Sequence, residues 1–204
     1  MKKVGFFLVI VGLSLIILIY GPVIKEELRF LSDQLGQVQY SLEADPSFPQ
    51  KGIKPIFPVD RDFGIVIPKI NLNAKIFPEI DSTNPEEYLP ILRKGVAQAQ
   101  GSAYPNQPDG NLFLFGHSTD AFYNVGRYNA VFHLIGKLNM DEEVVIFYQG
   151  DKYLYKVIDK KVVAPEGIAP YLEKYQGEKI LTLQTCYPPG TTLKRLLVIA
   201  KEMD

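Results

Sequence analysis

From Val4 to Ile24 no side chain carries a charge and nearly all are apolar. At about 1.5 Å of rise per residue, roughly 20 such residues cross the hydrocarbon core of a bilayer. The run predicts one N-terminal transmembrane helix and leaves everything after it to fold on one side of a membrane. Lys2 and Lys3 precede the run, whereas Lys25, Glu26, Glu27 and Arg29 follow it with mixed sign. The positive-inside tendency then puts the N-terminus in the cytoplasm and residues 25–204 outside, in a single-pass protein of the cell membrane that meets lipid through residues 4–24. The alternative is a cleaved signal peptide. Against it, the run is longer than a usual signal core, and Tyr20-Gly21-Pro22-Val23-Ile24-Lys25-Glu26 has no small-x-small cleavage pattern.

The chain has 204 residues, room for one well-buried domain plus an appendage. Its formal charge is −1 with Lys and Arg scattered, so it lacks the basic footprint of a nucleic-acid binder. Three regions follow: a cytoplasmic tip and anchor over 1–24, a helical stalk and Pro-rich linker over 25–60, and a main folded domain over 61–204. Leu28, Leu31, Leu35, Val38 and Leu42 recur at spacings of three and four, which predicts one apolar helix face. That helix either lies on its own domain, continues the anchor, or holds the domain off the membrane. Pro46, Pro49, Pro55 and Pro58 make the next stretch an extended linker or a covering strap.

Beyond it, apolar and β-branched runs at 63–68, 70–77, 111–116, 143–148, 152–163, 179–185 and 195–201 are separated by Gly, Pro, Asn and Asp. A hairpin is expected around Gln149, Gly150 and Asp151, and short helices or turns at 85–94 and 168–175. Without a regular strand-helix-strand alternation, these runs predict a mostly β fold closed as a barrel.

The chain has one cysteine and two histidines. A lone Cys186 can neither form an internal disulfide nor build a multi-cysteine zinc site, and the plainest fate of such a residue is burial as a small apolar group. Cys186 and His117 nonetheless each follow a predicted strand and precede a polar or Pro-Gly loop, where substrate could reach them. Arg195 opens the last predicted strand, and its guanidinium could donate to an oxyanion or simply pair at the rim. His133, inside Val131-Phe132-His133-Leu134-Ile135, is expected to be structural. Asp120 could orient His117, but a polar residue capping a turn is the plainer reading. Asp141-Glu142-Glu143 reads as a solvated turn before a strand, so neither a metal ion nor a cofactor is expected.

Thr182-Leu183-Gln184-Thr185-Cys186 resembles the TLxTC signature of the sortase family, and Arg195-Leu196-Leu197-Val198 is similar to that family's arginine-led final strand. Ile67-Pro68-Lys69-Ile70 and the segment from Gly95 to Gly116-His117 also resemble sortase sequences, so the likeness runs in order over about residues 61–201. Many members read Gly-His-Arg where this chain has Gly116-His117-Ser118.

The resemblance implies an eight-stranded sortase barrel with Cys186, His117 and Arg195 as catalytic residues and Thr185 near the substrate. It implies that Cys186 attacks the Thr carbonyl of an LPxTG-like sorting signal on a secreted protein. The resulting thioester is resolved by an amine of peptidoglycan or of a pilin. A free thiol titrates near 8.5, so His117 either takes its proton or coexists as imidazolium beside a minor thiolate; the family is thought to use the second arrangement. Asp45-Pro46-Ser47-Phe48 loosely resembles the Asp-Pro-aromatic lid of pilin-polymerising members, although a Pro-rich linker is the plainer reading. An ending directly after the last strand favours a housekeeping or spore-type member. Two other readings stay open: a different extracytoplasmic cysteine peptidase, and a catalytically silent surface barrel that binds a partner. For the first, the Ser-x-Gly-Cys run of L,D-transpeptidases is absent.

Overall fold

The computed structural model describes residues 2–119 and 131–203, with side chains for the same residues except 2, 16–20, 22 and 23. Helix α1 runs from Lys2 to Leu35. Among the described residues no helix is long and apolar enough to cross a membrane. The expected span lies within α1, and several of its side chains fall outside the described residues.

The apolar spacing predicted helix as far as Leu42, but the helix stops at Leu35. Gln37 takes a left-handed φ of 50°. Its N–H donates to Gln34 O at 3.1 Å and Val38 N–H donates to Asp33 O at 2.8 Å, the paired bonds of a Schellman stop. Gly36 sits one position before the left-handed residue, so the usual glycine marker is displaced. The chain then turns into β1 (Gln39–Ser41), which pairs in parallel with β2 (Ile53–Pro55).

Eight strands close the barrel: β3 (Phe63–Ile67), β4 (Leu72–Ile80), β5 (Val96–Ala99), β6 (Gly110–Phe115), β7 (Glu143–Tyr148), β8 (Asp151–Val163), β9 (Lys179–Tyr187) and β10 (Lys194–Glu202). Round the barrel the order is β10-β8-β7-β3-β4-β5-β6-β9, with β9 returning to β10. The mostly β barrel is as expected. The expected hairpin forms with Tyr148 opposite Asp151, and Gln149 and Gly150 both have positive φ, as a two-residue primed turn requires. The 85–94 helix forms as α2 (Pro85–Leu92), where Asn84 Oδ1 accepts from Glu86 N–H, Pro85 fills the first turn and Glu86 and Glu87 face the positive end of the helix dipole. The 168–175 segment gives α3 (Ile168–Leu172) and a 3-10 turn at Glu173–Tyr175.

Alternation sorts each strand between an interior and an outer face. Ile65, Ile76, Leu114, Ile146, Leu183 and Val198 fill the interior. The outer face is covered in three patches. α2 packs over β4–β6 through Tyr88, Ile91 and Leu92, and α3 packs over Ile180, Leu197 and Ile199. Tyr40, Leu42 and Ile56 from the strap pack on Val66, Val145 and Phe147 of β3 and β7. β3 is four strands round the barrel from β9 in either direction. The strap that holds Asp45-Pro46-Ser47-Phe48 is thus fastened to the side away from Cys186, which gives the lid-like reading no support.

α1 is not a free stalk at its C-terminal end. Phe30 is 6% exposed and belongs to the barrel interior cluster, Arg29 Nη2 donates to Ile70 O at 3.2 Å, and Tyr40 Oη donates to Asp33 at 3.1 Å. In the acidic turn before β7, Glu142 accepts from Asn139 N–H at 2.9 Å and pairs with Lys69 at 3.3 Å.

Candidate active site

Cys186 lies on β9 directly opposite Arg195 on β10. In β9, Leu181 and Leu183 point into the barrel and Ile180 points out against α3; in β10, Leu196 and Val198 point in and Leu197 and Ile199 point out. By the same alternation Cys186 and Arg195 both point out. Side chains directly opposite on one face have Cβ atoms about 4.5–5.5 Å apart. On the other side of β9, β6 runs parallel with Phe115 level with Gln184, and Gly116 N–H continues the ladder to Gln184 O at 3.1 Å. Two residues further along both chains, the register sets His117 level with Cys186. Phe113 and Phe115 of β6 belong to the outer cluster, so His117 falls on that face too. The continuation of β6 and the neighbouring β9 and β10 therefore carry His117, Cys186 and Arg195 in one row, at the end of the sheet away from α3.

The backbone under this row is closely fastened. Thr185, 3% exposed, faces the interior and donates from Oγ1 to Gly116 O at 2.8 Å. That hydroxyl thereby ties β9 to the carbonyl just before His117, at the residue for which the resemblance implied a place near substrate. A Cβ on Gly116 would stand 3.0 Å from both Val131 and Phe132, so a side chain there would force them away. Phe132 N–H donates to His117 O at 3.0 Å. His133 is held at both ring nitrogens, with Nδ1 3.2 Å from Ser118 O and Nε2 3.1 Å from Glu27.

Arg195 Nη1 donates to Thr192 O at 2.8 Å and to Lys194 O at 3.0 Å, gripping the β9–β10 loop from below. Both bonds use Nη1, leaving Nη2 and Nε unspent on them. In that loop, which begins with a cis Tyr187–Pro188 bond, Thr191 N–H and Oγ1 both donate to Pro188 O, and Gly190 takes a φ of 80°. A Cβ on Gly190 would lie 3.5 Å from Thr119 Oγ1, so the loop reaches the segment that follows His117. Tyr187 and Leu193 stand 40% and 71% exposed beside the row. Cys186 is a free, partly exposed thiol. Asp120 lies outside the described residues.

Sequence reading singled out all three residues of the row, and Thr185 beside them, but not the bonds that fasten them. Gly116 and Phe132 act through interior packing and a backbone bond, for which the sequence carries no signal beyond the Gly116-His117 pair. A separate groove of about 730 Å³, lined by Glu79, Tyr104 and Asp109, opens at the Gly110 end of β6, away from Cys186. Glu79 there is held by Tyr104 Oη and Gly101 N–H.

No curated protein sequence matches the chain. Among solved structures it is similar to sortase C from Clostridium perfringens SM101, at 27% identity over 73% of each chain with a TM-score of 0.54. It is also similar to sortase C-1 from Actinomyces oris, at 26% identity over 72% of this chain and 76% of that one, TM-score 0.56. Sortase A from Corynebacterium diphtheriae matches at 25% identity over 71% of this chain and 61% of that one, TM-score 0.57. The Sortase domain family profile matches residues 65–203, most of the chain and all but the first two residues of the barrel. With that match and this barrel, the chain belongs to the sortase family of cysteine transpeptidases.

Proposed function

We propose that the protein is a membrane-anchored sortase that cleaves an LPxTG-like sorting signal through a thioester on Cys186 and transfers the protein to an amine of peptidoglycan or a pilin. The observation that carries this reading is the row of His117, Cys186 and Arg195 across the outer end of β6, β9 and β10. Cys186 Sγ attacks the Thr carbonyl. The C–N bond breaks after a tetrahedral intermediate whose oxyanion accepts from the unspent Arg195 donors, and His117 gives a proton to the leaving amine. The incoming amine then attacks the thioester, His117 takes its proton, and Cys186 leaves as thiolate. Exclusion of water by the Tyr187–Leu193 loop would favour the amine.

Anchoring is supported by the charge-free run Val4–Ile24 inside α1 and by exposed Phe6, Phe7, Leu8, Val9 and Leu13, an apolar surface larger than an aqueous helix ordinarily shows. With that orientation the barrel faces the cell exterior.

The test is mass spectrometry of the full chain in detergent micelles, incubated with LPxTG-type peptides and an amine acceptor, alongside Cys186→Ala. We expect peptide cut after Thr and joined to the amine, with an acyl adduct on Cys186 that the variant lacks. Absence of adduct, cleavage and ligation across a varied peptide set would leave a silent barrel as the better reading; cleavage without ligation would identify water as the acceptor.

A further inference from the structure

Two consecutive carbonyls leave the reactive histidine, and two consecutive residues hold them. Phe132 N–H donates to His117 O at 3.0 Å, and His133 Nδ1 lies 3.2 Å from Ser118 O. A carbonyl only accepts, so Nδ1 carries the hydrogen and donates. The first bond belongs to the backbone. The second belongs to a side chain, and its other end leads elsewhere: His133 Nε2 is 3.1 Å from Glu27 Oε1 across 106 residues of sequence, and since a carboxylate also only accepts, the ring makes both bonds as the imidazolium, with a hydrogen on each nitrogen. Glu27 lies on α1, just past the apolar run, and its other oxygen pairs with Lys137 Nζ at 3.1 Å. The His133 side chain is only 6% exposed and the Glu27 side chain 32%, so the link is shielded at the imidazole and partly open at the carboxylate.

We propose that Glu27 and His133 are positioning residues of the reactive centre, through which the docked N-terminal helix sets the pose of His117. This rests on the reading of His117 as the proton carrier for Cys186. Glu27 fixes the imidazole plane of His133, His133 holds Ser118 O, and Ser118 is the residue bonded directly to His117. Thr185 pins the chain on the other side of His117, at Gly116 O. With either strut lost, His117 can drift relative to Cys186 while the paired strands β9 and β10 that carry Cys186 and Arg195 stay in place. A displacement of about 1 Å at a reacting group can cost about 100-fold in rate. A purely structural histidine would instead lower stability and leave the turnover of folded molecules unchanged.

The experiment uses the full chain in detergent micelles with Glu27→Gln, His133→Ala, His133→Gln and, as a control, Arg29→Gln. The control loosens α1 at Ile70 O without touching His133. For Glu27→Gln and His133→Ala we expect kcat to fall about tenfold or more with KM within about twofold. His133→Gln, whose amide can still donate to Ser118 O, should recover part of that loss, and Arg29→Gln should stay within about twofold. The chain has two histidines, so histidine-labelled NMR shows two rings, and His133→Gln leaves the signal of His117 alone. Glu27→Gln should move that His117 signal. Unchanged kcat together with an unmoved signal overturns the proposal, as does an equal loss in Arg29→Gln, which would mean that helix docking in general is what matters. If the wild-type chain cleaves no peptide, the proposed reaction fails, and the His117 signal alone decides: movement on Glu27→Gln upholds the coupling and an unmoved signal overturns it.

Discussion

The residues of the row differ in how they are held, and that separates the effects of changing them. Thr185→Val keeps shape but removes the donor to Gly116 O, leaving a buried carbonyl without its partner. A loss of about 1–3 kcal/mol is expected in denaturant unfolding, with kcat lowered because the carbonyl precedes His117. Thr185→Ser should restore both, and a Val variant as stable and active as wild type would remove Thr185 from the scaffold. Arg195 holds Thr192 O and Lys194 O through Nη1, and the proposed reaction gives it a second task, donating to the oxyanion through its other N–H groups. Lysine has the charge but not the fork, so it cannot serve both. Arg195→Lys should lower kcat by about 100-fold, the scale of losing an oxyanion donor. A Lys variant that turns over at the wild-type rate would show that charge alone suffices.

Among the elements, α3 depends on one carboxylate. Asp159 on β8 accepts from Lys174, Tyr171 and Tyr175, and Lys174 lies 4.1 and 4.8 Å from the centres of the two tyrosine rings. Burial pushes the Asp159 carboxyl up, but the hydrogen bonds from Lys174, Tyr171, Tyr175 and Lys160 N–H outweigh it and hold the carboxyl well below the usual carboxylate range. A carboxylate depressed on folding stabilises fully above its unfolded value, near 3.8, and that contribution drains away as pH falls toward the folded value. Asp159→Asn should cost about 1–3 kcal/mol at neutral pH, with solvent at a quarter-exposed carboxylate favouring the lower end. It should also flatten the acid limb of stability below about pH 4, measured by urea unfolding from pH 2 to 7. An unchanged acid limb would mean that other carboxylates carry it. Elements with a local chemical signature were legible in advance: the Gln149-Gly150 hairpin, α2 with its Asn84 cap, and the long apolar strands. β5 was not, because Val96-Ala97-Gln98-Ala99 has little β-branched character and exists as a strand only through its pairing with β4 and β6. The Schellman stop escaped because Gln37, not a glycine, takes the left-handed conformation. His117, Cys186 and Arg195 were legible as strand-end residues, and their alignment was not, since parallel pairing of β6 with β9 joins segments far apart in sequence.

At the scale of the whole molecule, the boundary near residue 60 that composition suggests is crossed by packing. The sequence shows a stalk because Leu28, Leu31 and Leu35 share a helix face, yet those leucines are 60%, 48% and 87% exposed, and the buried residue is Phe30 between them. Periodicity marks an apolar stripe without saying what covers it; here the barrel accepts the neighbouring aromatic face, held by Arg29 to Ile70 O, Tyr40 to Asp33 and the Glu27–His133–Lys137 cluster. The C-terminal part of α1 and the barrel should therefore unfold together. Adjacent positions test this with opposite expectations. Phe30→Ala removes a ring from the interior cluster and should cost about 3 kcal/mol or more, the scale of a core Phe truncation. Leu31→Ala, on the open side, should stay within about 0.5 kcal/mol. Both are read from urea unfolding of the full chain in micelles, followed by tyrosine fluorescence. A single transition shifted by Phe30→Ala and not by Leu31→Ala places the helix inside the cooperative unit. Equal small shifts, or a separate early transition, would mean that the helix docks too weakly to fix any part of the barrel, His117 included.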